Sequence, residues 1–388
     1  VVTKKPAFTI IDGSVCKDGT LNLMTLVTAG STSGSWSGTG VSGSTFTGSV
    51  TGEVTLTYTV TDGPCTVSKS VKVTVRALPS VSTLDRTVCK NDAVLLTSLV
   101  GSGTGVWSKQ SGVNDISGSS VTTSAVGSTT LRYTVTETEG DLTCTNYADA
   151  IVTVRALPTV STNSKTVCLN DAVTLASMVG SGSDGTWTKV SGVNDISGTS
   201  VSTSNSGVTT LRYTVTETEG GLTCTNYADA TVTVRALPTV TTSTAPTICA
   251  GQSTTLTASG ATSYVWTPGG DGASITVSPG STTTYSVVGT SNGCTSAPVS
   301  VTVSVNSKPT LVITENKTIC AGESVVLTVS GASSYVWSTG GNTASITVNP
   351  GSTTKYTVTG INAQGCSSTA ETTVTVNSCA INQTYTQG

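Results

Sequence analysis

The sequence contains no histidine and few charged residues. Without histidine, the chain cannot build a Ser-His-Asp triad or a His-ligated metal site from its own side chains. Charged residues make up 10% of the sequence, with 18 Lys and Arg against 21 Asp and Glu, whereas ordinary globular chains have about 25%. Because nucleic-acid binding depends on clustered Lys and Arg that neutralise phosphates, this balance argues against a nucleic-acid partner.

Long apolar runs are also missing. No stretch reaches the roughly 18 consecutive apolar residues typical of a membrane-spanning helix, so we predict no membrane span in this segment. The sequence begins with Val1 and shows no signal peptide, which we interpret as a processed or excised piece of a secreted protein. Apolar residues nevertheless reach 36%, and 41 glycines accompany them, so the composition is not that of a disordered chain.

Five internal repeats occupy almost the whole sequence. The segment at 131–140, LRYTVTETEG, returns unchanged at 211–220, and the last two repeats share the segments SYVW and PGSTT. Each repeat carries one Cys–Trp–Tyr–Cys series, and successive opening cysteines lie 71 to 81 residues apart. Self-similarity at a fixed period is typical of tandem architectures in which every repeat is one structural unit.

The members of this series define the predicted domains. The opening cysteines are Cys16, Cys89, Cys168, Cys249 and Cys320, and the closing cysteines are Cys65, Cys144, Cys224, Cys294 and Cys366. Between them lie Trp36, Trp107, Trp187, Trp266 and Trp337, followed by Tyr58, Tyr133, Tyr213, Tyr285 and Tyr356. We predict immunoglobulin-like domains at 1–78, 79–157, 158–237, 238–308 and 309–377, with a tail or the start of a further segment at 378–388.

Apolar residues alternate with hydroxyl residues along much of the chain. At 54–61, Val, Leu and Tyr alternate with Thr, which places the apolar side chains on one face of a β-strand. Dipeptides such as Asp62-Gly63 and Asn292-Gly293 predict hairpin turns between the last two strands of a repeat. We therefore predict an all-β fold with almost no helix, made of five tandem small immunoglobulin-like β-sandwiches with about six or seven strands each.

The cysteines predict one disulfide in each repeat. A domain of about 75 residues is only marginally stable by itself, and closing a loop of about 50 residues contributes about 4 kcal/mol on the chain-entropy model. Five similarly spaced pairs indicate an oxidising, extracellular setting. If both cysteines of a pair lie at one end of the sandwich, six strands are favoured over seven. Cys379 is left over, and we expect it to be unpaired or bonded to another chain or to a later cysteine.

The motifs of the last two repeats resemble those of a known family. Cys-Ala-Gly-Gln-Ser at 249–253 and Cys-Ala-Gly-Glu-Ser at 320–324 precede SYVW, a PGSTT-x-Tyr strand and Gly-Cys. This order is similar to that of immunoglobulin-like and PKD-like repeats in large Bacteroidota surface proteins, including gliding-motility adhesins exported by the type 9 secretion system. The resemblance implies a bacterial surface location and an adhesive or structural role. The family's C-terminal sorting domain is not visible in residues 378–388, so we expect this segment to be internal or cleaved.

Three sets of side chains are candidates for a binding or catalytic site. The tryptophans are predicted to be core residues packed on the disulfides, and the alternative is a platform that stacks on glycans. The carboxylate pairs Glu137 and Glu139, and Glu217 and Glu219, are predicted to be solvated, although such pairs can perform acid–base chemistry. Loop carboxylates that could bind Ca²⁺ lack a D-x-D-x-D-G motif; they are Asp12, Asp18, Asp92, Asp115, Asp171 and Asp195.

The sequence therefore favours a non-catalytic extracellular stalk with no cofactor, belonging to a bacterial surface adhesin or filament. Its partners would be an unknown surface receptor or glycan, or further copies of the chain assembled into a fibre. The alternative is a glycan-binding accessory region of a secreted polysaccharide-degrading enzyme. Aromatic side chains exposed in loops would favour this alternative, and burial of Trp107, Trp187 and Trp266 would argue against it.

Overall fold

The computed structural model describes residues 4–379, and the fold is all-β, which confirms the predicted class. The helices within this range are three 3₁₀ turns of four residues each, at Leu23–Leu26, Leu96–Leu99 and Leu175–Met178. No helix formed by the described residues has the length and apolar character needed to cross a membrane. Of the predicted tail at 378–388, residues 380–388 lie outside the described range.

The chain divides into two compact units, and the division falls within the third repeat. Unit A holds the described residues up to Thr162 together with Val179–Thr188 and Arg212–Asp229. Unit B holds Asn163–Met178, Lys189–Leu211 and the described residues from Ala230 onward.

Repeats 1 to 3 share one series of strands. Repeat 1 contains β1 (Phe8–Ile10), β2 (Gly13–Cys16), β3 (Thr20–Asn22), β4 (Val27–Gly30), β5 (Ser35–Ser37), β6 (Val41–Ser42), β7 (Thr45–Thr47), β8 (Gly52–Asp62) and β9 (Cys65–Arg76). Repeat 2 contains β10 (Ser82–Thr83), β11 (Arg86–Cys89), β12 (Val94–Leu95), β13 (Val100–Ser102), β14 (Gly105–Gly112), β15 (Ile116–Ser117), β16 (Ser120–Val121), β17 (Gly127–Glu139) and β18 (Leu142–Arg155). Repeat 3 contains β19 (Ser161–Thr162), β20 (Lys165–Cys168), β21 (Val173–Thr174), β22 (Val179–Ser181), β23 (Thr186–Gly192), β24 (Ile196–Ser197), β25 (Ser200–Val201), β26 (Gly207–Glu219) and β27 (Leu222–Arg235).

Repeats 4 and 5 form a second subgroup with fewer short strands. Repeat 4 contains β28 (Thr241–Thr242), β29 (Thr247–Cys249), β30 (Thr254–Ser259), β31 (Ser263–Thr267), β32 (Gly270–Asp271), β33 (Ser274–Val277), β34 (Thr283–Ser291), β35 (Cys294–Thr295) and β36 (Val299–Asn306). Repeat 5 contains β37 (Val312–Ile313), β38 (Lys317–Cys320), β39 (Val325–Ser330), β40 (Ser334–Trp337), β41 (Ser345–Val348), β42 (Thr354–Ile361) and β43 (Ser367–Asn377).

Repeat 5 shows the sandwich in its simplest form. One sheet has the strand order β38-β43-β42-β40, and the other has the order β37-β39-β41. Its seven strands differ from the six that were favoured, because the start of the repeat is divided between the two sheets as β37 and β38. Strand β38 lies parallel to the last strand, β43, whereas the other pairings are antiparallel.

Alternation along the long strands builds the cores. In β8, Leu56, Tyr58 and Val60 are buried, and Thr59 on the other face pairs its hydroxyl with that of Ser68 at 2.9 Å. Leu23 from the first 3₁₀ turn belongs to the same core. Because a strand has period two, the threonines cover the outer face of the sheet while the aliphatic residues fill the sandwich.

The prediction that each disulfide closes its own repeat is wrong. The first bridge joins Cys16 to Cys144 rather than to Cys65. Cys16 lies opposite Arg76 at the end of β9 because β2 runs parallel to β9, and Cys65 begins β9. Eleven residue steps along a strand span roughly 36 Å, whereas a disulfide requires Cα atoms within about 7 Å. The two cysteines of one repeat therefore lie at opposite ends of its sandwich.

The expectation for Cys379 is also corrected. Cys379 bonds to Cys320, the opening cysteine of repeat 5. Cys320 lies opposite Asn377 in the parallel pair of β38 and β43, so a residue two positions beyond Asn377 comes within reach. The argument for six strands assumed that both cysteines of a repeat share one end, and it fails for the same reason.

Candidate functional site: the junctions between repeats

The disulfides covalently join each repeat to the next. They join the opening cysteine of one repeat to the closing cysteine of the following repeat at four junctions, with Cα–Cα distances of 5.5 to 5.6 Å. The four bridges are Cys16–Cys144, Cys89–Cys224, Cys168–Cys294 and Cys249–Cys366. On the chain-entropy model, one bridge that closes a loop of this length by itself stabilises the folded chain by about 5 kcal/mol.

A tight turn positions each opening cysteine. In repeat 2 the turn runs from Cys89 to Asp92, whose N–H donates to the Cys89 carbonyl at 3.1 Å. The Asp92 carboxylate accepts from the Cys89 N–H at 3.1 Å, and Asn91 has a φ of 70°. Only Gly, Asn and Asp adopt such angles readily. The segment Cys-Ala-Gly-Gln at 249–252 forms the same turn, because Gly251 has a φ of 76° and Gln252 accepts from the Cys249 N–H at 3.0 Å.

An arginine at the end of each of the first three repeats contacts the last hairpin of the next repeat. The Arg76 guanidinium forms an ion pair with Glu139, and Arg155 pairs with the Glu219 carboxylate while its Nη1 donates to the Glu219 carbonyl at 2.8 Å. Arg235 Nη1 donates to the Asn292 carbonyl at 2.6 Å. Because Glu139 and Glu219 are largely exposed, each ion pair contributes at most about 1 kcal/mol to the stability of the fold. Its main effect is to orient the hairpin relative to the arginine.

An asparagine of the following repeat holds the linker backbone at three junctions. Asn146 Nδ2 donates to the carbonyl of Pro79 at 2.9 Å, and Asn226 donates to that of Pro158 at 2.8 Å. At the last junction Asn362 donates to the carbonyl of Ser307 at 2.8 Å. Pro79 and Pro158 are buried, and proline fixes its own φ. At Pro79 and Pro158 the linker therefore has both a fixed φ angle and a hydrogen bond to its carbonyl group.

The predicted carboxylate pairs lie in clefts at these junctions. One cleft of about 500 Å³ is lined by Arg155, Glu217, Glu219 and Leu222 around Cys224, and its counterpart around Cys144 has about 490 Å³. Glu139 and Glu219 bind arginine rather than being purely solvated. Within residues 4–379, no three His, Cys, Asp or Glu side chains come together in a way that could hold a metal ion. In both clefts, a glutamate of one repeat thus forms an ion pair with an arginine of the preceding repeat.

The loop aspartates considered for Ca²⁺ each have a nearby partner. Asp12 accepts from the Lys72 N–H at 2.8 Å, and Asp171 accepts from the Cys168 N–H at 2.9 Å. Asp18, Asp115 and Asp195 form ion pairs with Lys17, Lys109 and Lys189. These contacts fix turns and strand ends inside single repeats.

The aromatic residues of the series pack on one another. Trp36 lies against Tyr58 with ring centroids 4.8 Å apart, and Trp107 and Trp187 have the same relation to Tyr133 and Tyr213. The five tyrosines are buried, as are Trp36, Trp266 and Trp337, while Trp107 and Trp187 are half-buried. In repeats 4 and 5 the indole N–H groups of Trp266 and Trp337 donate to backbone carbonyls at 3.0 Å.

Two exposed tyrosines lie on the outer faces of repeats 2 and 3. Tyr147 is 54% exposed, and the Arg132 guanidinium lies 3.7 Å from its ring centroid. Arg132 also makes a bidentate contact with Asp149 at 2.8 and 2.9 Å, and this hydrogen bonding lowers the pKa of Asp149. Repeat 3 repeats the arrangement with Arg212, Tyr227 and Asp229.

Comparisons with known proteins give no family assignment. No protein-family model and no curated protein matches the chain. Similar solved structures include Sidekick-1 immunoglobulin domains 1–5, with 13% identity, 96% of this chain and 98% of that chain covered, and a TM-score of 0.22. The human desmocollin-1 ectodomain has 12% identity, coverage of 98% and 100%, and a TM-score of 0.19. The insect immune protein hemolin has 14% identity, coverage of 77% and 100%, and a TM-score of 0.22.

These scores are too low to carry an argument, and the fold assignment rests on the sheets themselves. The chain is a tandem series of immunoglobulin-like β-sandwiches that contains five disulfides.

Proposed function

We propose that the chain is a non-catalytic extracellular stalk whose repeats are covalently clasped so that tension passes from one repeat to the next without unfolding them. The observation that carries the proposal is that four disulfides join consecutive repeats rather than closing single ones. An arginine at the end of a repeat and an asparagine in the next one support the same junctions. Side chains committed to junctions and cores argue against a catalytic role.

The setting of this stalk is the outside of a bacterial cell, as part of a surface adhesin or filament. Disulfides persist in oxidising compartments, which supports the extracellular location. The Cys-Ala-Gly motifs at 249–251 and 320–322 support a relationship to Bacteroidota surface repeats and to type 9 secretion. We propose domain boundaries within the Pro-containing linkers, which lie between the last strand of one repeat and the first strand of the next. These boundaries are 78/79, 157/158, 237/238 and 308/309.

Single-molecule pulling on the full chain tests this function. When every bridge is intact, the shortest covalent route between Cys16 and Cys379 contains only the 24 residue steps from Cys144 to Cys168 and the 26 from Cys294 to Cys320. At about 3.5 Å per residue and about 5.5 Å across each of the three bridges, the oxidised chain between Cys16 and Cys379 can reach only about 190 Å. The reduced chain of 363 steps can reach roughly 1,270 Å.

The expected record shows no unfolding steps in the oxidised chain and successive steps after full reduction. Unfolding steps of the size of a whole repeat in the oxidised chain would contradict the proposal. A matched control is the Cys168→Ser, Cys294→Ser double variant, which removes one bridge as a pair and should lengthen the shortest covalent route while the other bridges remain.

Glycan binding is the second candidate function, and exposed aromatic rings favour it. Tyr147 and Tyr227 are each more than half exposed beside an Arg–Asp pair, an arrangement that can stack on a sugar ring and hydrogen bond to its hydroxyl groups. Burial of Trp266 argues against the tryptophan platform. A glycan array with the native chain tests it, with Tyr147→Ala and Tyr227→Ala as variants that leave the cores intact. Saturable binding that both substitutions abolish would support this role.

A further inference from the structure

The last disulfide differs from the other four in both position and exposure. Cys144, Cys224, Cys294 and Cys366 are each at most 5% exposed, so every bridge between repeats contains a buried cysteine. In the last bridge Cys320 is half-buried and Cys379 is exposed. Attack on a disulfide requires access to one of its sulfur atoms, and only this bridge offers an exposed partner.

Cys379 also bonds to an opening cysteine, which in each of the first four repeats bonds to the following repeat. In repeat 1, Cys16 lies opposite Arg76, the residue two positions beyond is Leu78 of the linker, and Cys16 bonds to repeat 2. In repeat 5, Cys320 lies opposite Asn377, and the residue two positions beyond is Cys379 itself. Cys379 therefore bonds to the opening cysteine of its own repeat. At the four junctions between repeats, the opening cysteine bonds instead to the following repeat.

We propose that the Cys320–Cys379 disulfide is a thiol-exchange site that can release Cys320 while the four bridges between repeats stay intact. An external thiolate attacks Sγ of the exposed residue Cys379, and a new S–S bond forms between the incoming sulfur and Cys379. The Cys320–Cys379 bond breaks, and Cys320 leaves as a thiolate that takes a proton from water. The exchange consumes no net oxidant, because one disulfide replaces another. The incoming thiolate belongs either to a small thiol or to a cysteine of another polypeptide.

This inference is independent of the mechanical role, since it concerns reactivity rather than tension. The test is timed reduction of the native, full chain with dithiothreitol, followed by alkylation and peptide mass analysis of each cysteine. Cys320 and Cys379 are expected to become labelled at least about tenfold faster than Cys144, Cys224, Cys294 and Cys366, because a buried bridge reacts only after local opening of the structure. The far-ultraviolet circular dichroism of the sheets should remain unchanged during this first phase.

Equal labelling rates at all five bridges would overturn the proposal, and so would loss of the sheet signal when only Cys320 and Cys379 are labelled. A second measurement uses Cys379→Ser, which leaves Cys320 as a thiol without affecting the other junctions. Oxidised glutathione should convert this variant to a mixed disulfide at Cys320, and non-reducing gels distinguish this product from a chain linked to a second copy. If Cys320 forms neither product, it is not an exchange site.

Discussion

At the scale of single residues, the buried tyrosine of the Cys–Trp–Tyr–Cys series ties a loop to the sheet in repeats 1 to 3. Tyr58 is fully buried, and its hydroxyl accepts from the Gly34 N–H at 2.8 Å and donates to the Ser31 carbonyl at 3.2 Å. Tyr133 makes the same two contacts with Gly105 and Gly103. The sequence predicted that these tyrosines lie in the core, but nothing in it predicted the loop they hold, because the loop comes from an earlier strand connection.

Replacing Tyr58 with Phe should loosen repeat 1 locally. Two backbone groups lose their partner in a partly buried setting, which costs about 1 to 2 kcal/mol. Hydrogen exchange of the repeat 1 core amides should therefore accelerate by roughly 5- to 30-fold. The control is Tyr147→Phe, whose ring lies on the outer face and which should leave exchange in repeat 2 nearly unchanged. Equal effects of the two substitutions would contradict the role assigned to the Tyr58 hydroxyl.

The Arg132–Asp149 pair predicts a local response to acid. The hydrogen bonds from Arg132 lower the pKa of Asp149, so the stabilisation that this pair gives is fully present above the unfolded pKa of about 3.9. It is lost as the pH falls through the lower, folded value. In Arg132→Gln, the midpoint of Asp149 in a carboxyl NMR titration should rise towards its usual value. Asp229, whose partner Arg212 is unchanged, is the control within the same molecule and should keep its midpoint.

At the scale of elements, the strands followed from periodicity and the turns from glycine. Alternation at 54–61 predicted β8, and Asp62-Gly63 predicted the turn between β8 and β9. The direction of β2 was not predictable, because four residues such as Gly13–Cys16 look alike whether they pair in parallel or antiparallel fashion. That direction decides which cysteines meet, and it depends on a contact with β9, about 60 residues later.

Two glycines in repeat 2 separate crowding from backbone preference. Gly112 ends β14 with a φ of 108°, and a Cβ there would lie 2.4 Å from the Ser128 carbonyl oxygen. Gly118 has a φ of 60° and nothing within 4 Å of such a Cβ. Gly118→Ala should therefore cost about 1 kcal/mol, from the left-handed backbone alone, and Gly112→Ala more than about 2 kcal/mol. Urea unfolding of the oxidised variants, followed by hydrogen exchange in repeat 2, measures the difference.

At the scale of the whole molecule, the sequence predicted the repeats but not the pairing of the cysteines in disulfides. Counting cysteines gave five bridges, but pairing them by proximity in sequence gave every opening cysteine the wrong partner. A signal was present in Cys379, which stands where Leu78 follows Val-Arg-Ala in repeat 1. A cysteine at that position is close to an opening cysteine only if the first and last strands of a repeat run side by side in the same direction.

The loops closed by the five disulfides overlap along the chain. They span 16–144, 89–224, 168–294, 249–366 and 320–379, and every peptide bond between Cys16 and Cys379 lies inside at least one of them. A protease that cuts the backbone once within this range therefore leaves both fragments in one molecule. After limited proteolysis to a single cut, non-reducing gels should show an undiminished full-length mass and reducing gels two fragments. Such a polypeptide survives damage that would sever an ordinary string of domains.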